Sequence, residues 1–136
     1  MLRSTIARLP LFNSTRCYST RVCSFDKFKP IVQNPLANTI LVDVREPSEL
    51  ADYAVPGAIN VPYKTSPQSF SLPAPQFKTE FGVVKPEPTK HLVFFCQKGI
   101  RARNAEEVAN ANGYNDTEVY EGSMSEWLEK GGRDIK

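Results

Sequence analysis

The chain has 136 residues, enough for one compact domain with a full core and too few for two ordinary ones. Its formal charge of +2 divides unevenly: Arg3, Arg8, Arg16 and Arg21 precede the first acidic residue, Asp26, leaving 13 Lys and Arg against 15 Asp and Glu from Asp26 onward, a net of −2. A mildly acidic body argues against nucleic-acid binding, the lack of any run of about 18 apolar residues against a membrane span, and three cysteines without paired spacing against a disulfide framework or zinc ribbon.

Residues 1–25 contain no Asp or Glu, four Arg and seven Ser or Thr. That composition, with Leu2, Ile6 and Leu9 at helical spacing, predicts a mitochondrial presequence. Arg16-Cys17-Tyr18-Ser19 resembles a matrix processing signal, so cleavage is expected after Tyr18. The expected organisation is a transit peptide over 1–18, disorder to about residue 23, a domain over 24–133, and residence in the mitochondrial matrix.

The body begins with an entry turn and short helix over Ser24–Gln33, anchored by Phe25, Phe28, Ile31 and Val32. Thr39–Arg45 is a β-branched run, as expected of a central parallel strand buried on both faces, and its end is charged at Asp43 and Arg45. A short helix is expected over Glu46–Tyr53, with Pro47 in its first turn, and a short strand over Ala58–Val61 after the Pro56-Gly57 turn. Tyr63–Pro75 reads as a surface loop, and Pro75–Gly82, with Phe77 and Phe81 four apart, as a helix closed by glycine. A buried strand over His91–Phe95 then meets Cys96, a loop containing Gly99, and a helical pattern that closes on Gly113. Thr117–Tyr120 is a further strand, and Ser123 with Glu126 three residues on reads as the capping box of a last helix. Alternating strands and helices predict an open, mostly parallel α/β sheet, whose site lies at the carboxyl ends of the strands.

Cys96 and the Asp43–Arg45 end both fall there. Cysteine reacts as the thiolate, and a free thiol is only a few per cent ionised at neutral pH. Inward-pointing loop amides and a helix N-terminus stabilise negative sulfur, and Lys98 and Arg101 bring positive charge. His91, five residues before Cys96, is roughly 16 Å away at about 3.3 Å per residue, so no Cys-His pair is available and His91 reads as a surface residue. Cys23 reads as an ordinary free cysteine near an exposed N-terminus.

Ile40-Leu-Val-Asp43-Val-Arg45-Glu-Pro, Val55-Pro-Gly-Ala-Ile-Asn-Val-Pro62, Cys96-Gln-Lys-Gly99-Ile-Arg101-Ala and Gly122-Ser-Met-Ser-Glu-Trp127, in that order, resemble the rhodanese domain. The resemblance covers about Ser24 to Gly132 and is strongest to the small single-domain rhodaneses of fungal mitochondria. It implies a single α/β rhodanese-like domain, its central mostly parallel sheet flanked by helices on both faces. It also implies thiosulfate:acceptor sulfurtransferase chemistry: Cys96 takes the outer sulfur of thiosulfate, sulfite leaves, and the persulfide passes sulfur to cyanide, glutathione or another thiol.

Cys96 is then the catalytic residue, Gln97, Lys98, Gly99, Ile100 and Arg101 the substrate-binding loop, and Asp43 a structural support. Arg45 either joins the substrate-binding residues or binds Asp43 or Glu49. No cofactor or metal is called for, the partners are thiosulfate and small or protein thiols, and a monomer is expected. Phosphatases and arsenate reductases of the same fold resemble a Cys-x5-Arg pattern; here position six is Ala102 and the arginine is at position five, which favours sulfur over phosphate. The alternative function is a persulfide carrier that receives sulfur from a partner without free turnover. The Gly-His common in this family before the Pro-Gly turn is replaced by Tyr53-Ala54.

Overall fold

A computed structural model describes residues 21–135, so the presequence expected over 1–18 lies outside the described residues. In chain order the elements are α1 (Phe25–Gln33), β1 (Thr39–Asp43), α2 (Pro47–Leu50), β2 (Ile59–Asn60), α3 (Ala74–Phe81), β3 (His91–Phe95), α4 (Ile100–Ala111), β4 (Thr117–Val119) and α5 (Ser123–Glu129), with 3-10 turns at Ser69–Ser71 and Gly132–Asp134. The four strands stand in the order β2-β1-β3-β4 and every neighbouring pair is parallel.

Strand alternation divides the interior in two. Val42, Val44, Leu92, Phe94 and Cys96 point to one face, where they meet Phe77 of α3, Ala102, Ala105 and Ala109 of α4, and Phe70. Leu41, Val93 and Phe95 point to the other, against Phe28, Ile31 and Val32 of α1 and Met124 and Trp127 of α5. Helices therefore cover both faces, and the central strands carry near-continuous apolar runs because both sides are buried. The aromatic centre of the second face is Phe28, stacked on Tyr120 at 4.2 Å and edge-on to Phe95 and Trp127 at 5.3 Å each. That burial holds α1 together through Pro30, with the Ser24 hydroxyl capping the Lys27 amide at 3.2 Å.

Four local expectations are corrected. Arg21–Cys23 does not lie in a disordered lead-in: Val22 bridges Val119 in parallel, with the Cys23 amide on the Val119 carbonyl at 2.8 Å and the Val119 amide on the Arg21 carbonyl at 2.9 Å. This adds a short rung beyond β4 and draws Cys23 into the core at 1% exposure. Tyr63–Pro75 is not wholly surface, because the turn at Ser69–Ser71 sinks Phe70 against Phe77, Phe94 and Tyr114. His91 is mostly covered rather than a free surface residue, its Nδ1 2.8 Å from Asp116 and its Nε2 3.2 Å from Glu118. Gly122, not Ser123, is the N-cap of α5, and the Ser123 hydroxyl goes elsewhere.

Candidate active site

From β1 the chain crosses to β2 on one side, and from β3 it crosses to β4 on the other, so the order β2-β1-β3-β4 reverses between β1 and β3. Beyond the carboxyl ends of these two strands a crevice is left for a ligand. Cys96 follows β3 directly, and α2 follows β1 across the crevice.

The Cys96 sulfur accepts the Gly99 amide at 3.0 Å. Gly99 has φ of 98°, a left-handed conformation that glycine adopts without a Cβ penalty, and an added Cβ there would lie 2.7 Å from the Glu121 carbonyl oxygen. A side chain is therefore excluded twice over at the residue that turns its amide onto the sulfur. The helical ladder of α4 begins with the Arg103 amide on the Gly99 carbonyl at 3.1 Å, so the amides of Ile100, Arg101 and Ala102 precede it. Cys96 itself is only 1% exposed and sits recessed beneath its loop.

The cations expected around the sulfur fall into different places. Arg101 gives Nη1 to Glu49 Oε1 at 2.7 Å and Nη2 to Glu49 Oε2 at 3.0 Å, closing α2 onto the first turn of α4. These bonds hold the Glu49 carboxyl down at about 2 and raise Arg101, which is also raised, more weakly, by negative charge at Cys96. Arg101 thus lends its field to the sulfur while its fork is engaged with Glu49. Lys98 and Ile100 are exposed, Ile100 at 62%. The Gln97 side chain reaches the Ser125 hydroxyl at 3.4 Å.

Arg45, for which a substrate-binding place or a bond to Asp43 or Glu49 was expected, pairs with Asp43. At 3% exposure its Nε and Nη2 hold Asp43, with Nη2 2.8 Å from Oδ2, and Nη2 also donates to the Tyr53 carbonyl at 2.8 Å. The charge was legible at a strand end, but a buried guanidinium must be paired, and Asp43 two residues away takes it. Asp43 Oδ1 also accepts the Arg45 amide at 2.9 Å. Tyr53, which stands where the family pattern differs, supplies that carbonyl, and its hydroxyl accepts the Trp127 indole N–H at 3.1 Å.

Three contributors escaped the sequence reading. Glu49 was named only as a possible partner of Arg45, whereas its carboxylate holds Arg101. Asn60 donates to the carbonyls of Asp43 at 3.0 Å and Arg45 at 2.8 Å, stitching β2 to the strand end. Ser123 accepts the Cys96 amide at 3.1 Å and donates to the Tyr120 carbonyl at 2.8 Å.

Among protein families, the rhodanese-like domain matches residues 25–130. The mitochondrial thiosulfate sulfurtransferase RDL2 of Saccharomyces cerevisiae is 42% identical over 98% of this chain and 91% of its own length. A thiosulfate:glutathione sulfurtransferase of the same yeast is 43% identical over 80% of this chain and 78% of its own. The crystal structure of the yeast single-domain sulfurtransferase RDL2 superposes with a TM-score of 0.83 at 43% identity, covering 87% of this chain and 96% of that one. The human single-domain sulfurtransferase TSTD1 superposes with a TM-score of 0.71 at 31% identity, over 82% of this chain and 98% of that one. The chain belongs to the rhodanese-like family and is a rhodanese-type sulfurtransferase.

Proposed function

We propose that the protein moves the sulfane sulfur of thiosulfate to a thiol or to cyanide through a persulfide on Cys96. The Cys96 thiolate attacks the outer sulfur of thiosulfate, and the sulfur–sulfur bond breaks with its electron pair leaving on sulfite. An acceptor thiolate or cyanide then attacks the outer sulfur of the persulfide, and the bond to Cys96 breaks to restore the thiolate. The observation that carries this reading is the Gly99 amide held 3.0 Å from the Cys96 sulfur. Stabilised negative charge on sulfur is what both half-reactions require of the protein, and neither needs a general base. The covered position of Cys96 favours a slim donor such as thiosulfate over bulky electrophiles. The names of the yeast relatives support the same donor and a small-thiol acceptor such as glutathione.

A mitochondrial address, in the matrix after cleavage following Tyr18, is supported by the acid-free, Arg- and Ser-rich residues 1–25 and by the mitochondrial relative. Thiosulfate turnover with cyanide and with glutathione, compared with Cys96→Ser, tests the chemistry. The wild type is expected to turn over and to gain one sulfur by intact mass, and Cys96→Ser to do neither. A wild-type rate equal to that of Cys96→Ser, with Cys96 still loaded by a partner protein, would replace free turnover with a carrier role.

A further inference from the structure

Between β3 and β4 the parallel ladder runs from the Leu92 amide on the Asp116 carbonyl at 3.0 Å to the Tyr120 amide on the Phe94 carbonyl at 2.9 Å. In that register the next rung would join the Cys96 amide to the Tyr120 carbonyl. Those two groups do not meet directly. The Ser123 hydroxyl stands between them, accepting from Cys96 at 3.1 Å and donating to Tyr120 at 2.8 Å.

Ser123 is fully buried and has φ of 50°, the sole positive φ outside glycine among the described residues. Such a conformation is unfavourable for a residue with a Cβ and persists where its surroundings over-determine it. Here the hydroxyl bridge and the next two amides do so: Met124 donates to the Cys96 carbonyl and Ser125 to the Gln97 carbonyl, each at 3.0 Å. Three consecutive residues of the β4–α5 junction therefore hold the backbone of Cys96 and Gln97, while Gly99 holds the sulfur.

We propose that Ser123 is a positioning residue for sulfur transfer: its hydroxyl is a side-chain rung that parts the β3–β4 ladder at Cys96 and so fixes where the nucleophile and its loop leave the sheet. The proposal rests on Cys96 as the sulfur carrier. Without the hydroxyl, the Cys96 amide and Tyr120 carbonyl can close the rung themselves, drawing Cys96 toward β4 and away from the crevice.

Ser123→Gly and Ser123→Ala test this. Both remove the hydroxyl, but glycine relieves the left-handed strain and alanine keeps it, so Ser123→Gly is expected to melt about 4 °C above Ser123→Ala. Both half-reactions pass through the same displaced sulfur. Each variant should therefore lose about 10-fold in kcat/KM for thiosulfate and by a like factor for the acceptor, with KM little changed. A purely structural serine would give losses that track melting temperature, Ser123→Gly recovering wild-type rates, and that result overturns the proposal. A loss confined to the thiosulfate half-reaction would also overturn it, since it would assign Ser123 to donor binding. Wild-type protein that gains no sulfur from thiosulfate, by intact mass, would instead overturn the persulfide reading and this proposal with it.

Discussion

Among the described residues two cysteines are equally covered, and their immediate neighbours differ. Cys96 sits where an amide and an arginine's field meet its sulfur. Cys23 sits between the aromatic core of α1 and the acid of Glu118; burial, and after it that negative charge, push its thiol up to about 12. A thiol so raised is not a nucleophile at neutral pH. Cys23→Ser is accordingly expected to leave thiosulfate turnover unchanged while losing about 1–2 kcal/mol of stability, as a hydroxyl replaces the thiol in an apolar setting. Turnover kinetics beside denaturant unfolding check both halves, and a variant that folds normally yet fails to transfer sulfur would make Cys23 a resolving thiol. The Cys96 loop was legible because its signals are local: strand, cysteine, glycine and helix follow one another within a few residues. Cys23 was not, because its burial comes from a bridge to β4, nearly a hundred positions away.

At the level of elements, the clasp between α2 and α4 brings the charge logic of the site together. Glu49 accepts the Glu46 amide at 3.0 Å and both terminal nitrogens of Arg101, so a four-residue helix is tied to the loop it faces. Removing Arg101 takes a positive field from the sulfur and leaves Glu49 and Glu46 facing an anionic donor. Arg101→Ala should lower kcat/KM for thiosulfate by roughly 10- to 100-fold, and adding Glu49→Gln should restore part of it, with a coupling of about 1 kcal/mol in the kinetic cycle. Strictly additive losses would separate the two residues. The folded Glu49 carboxyl lies below its ordinary value of 4.5, at about 2, so its stabilising effect is present above pH 4.5 and is lost as pH falls through 2. The melting difference between wild type and Glu49→Gln should thus be flat from neutral pH to about 5 and shrink below 4.5. Sequence showed an acid and an arginine here, but their pairing spans 52 positions and depends on which strands become neighbours. The same holds for Ser123, whose spacing to Glu126 suggested a cap until the ladder beside it showed another partner.

Across the whole molecule, the sheet is fed from both chain ends, since Val22 adds its rung outside β4. Cleavage after Tyr18 would preserve that rung, along with the Arg21 ion pair to Asp116 at 2.6 Å. A chain beginning at Ser19 is expected to melt within about 2 °C of the full chain, and one beginning at Phe25 to melt several degrees lower, having lost Cys23 from the core and the cover of an edge strand. Equal melting of the two would remove the rung from the fold's stability. The covering of Cys96 has a further consequence for the proposed cycle. A persulfide offers two sulfurs to an incoming thiolate, and attack on the inner one would lock the protein into a mixed disulfide and discard the cargo as hydrosulfide. With the inner sulfur shielded at 1% exposure, the outer sulfur, about 2 Å farther along the bond, is the one an acceptor meets first, so the depth of the nucleophile selects which sulfur is attacked and makes the Cys96 thiolate, not hydrosulfide, the leaving group.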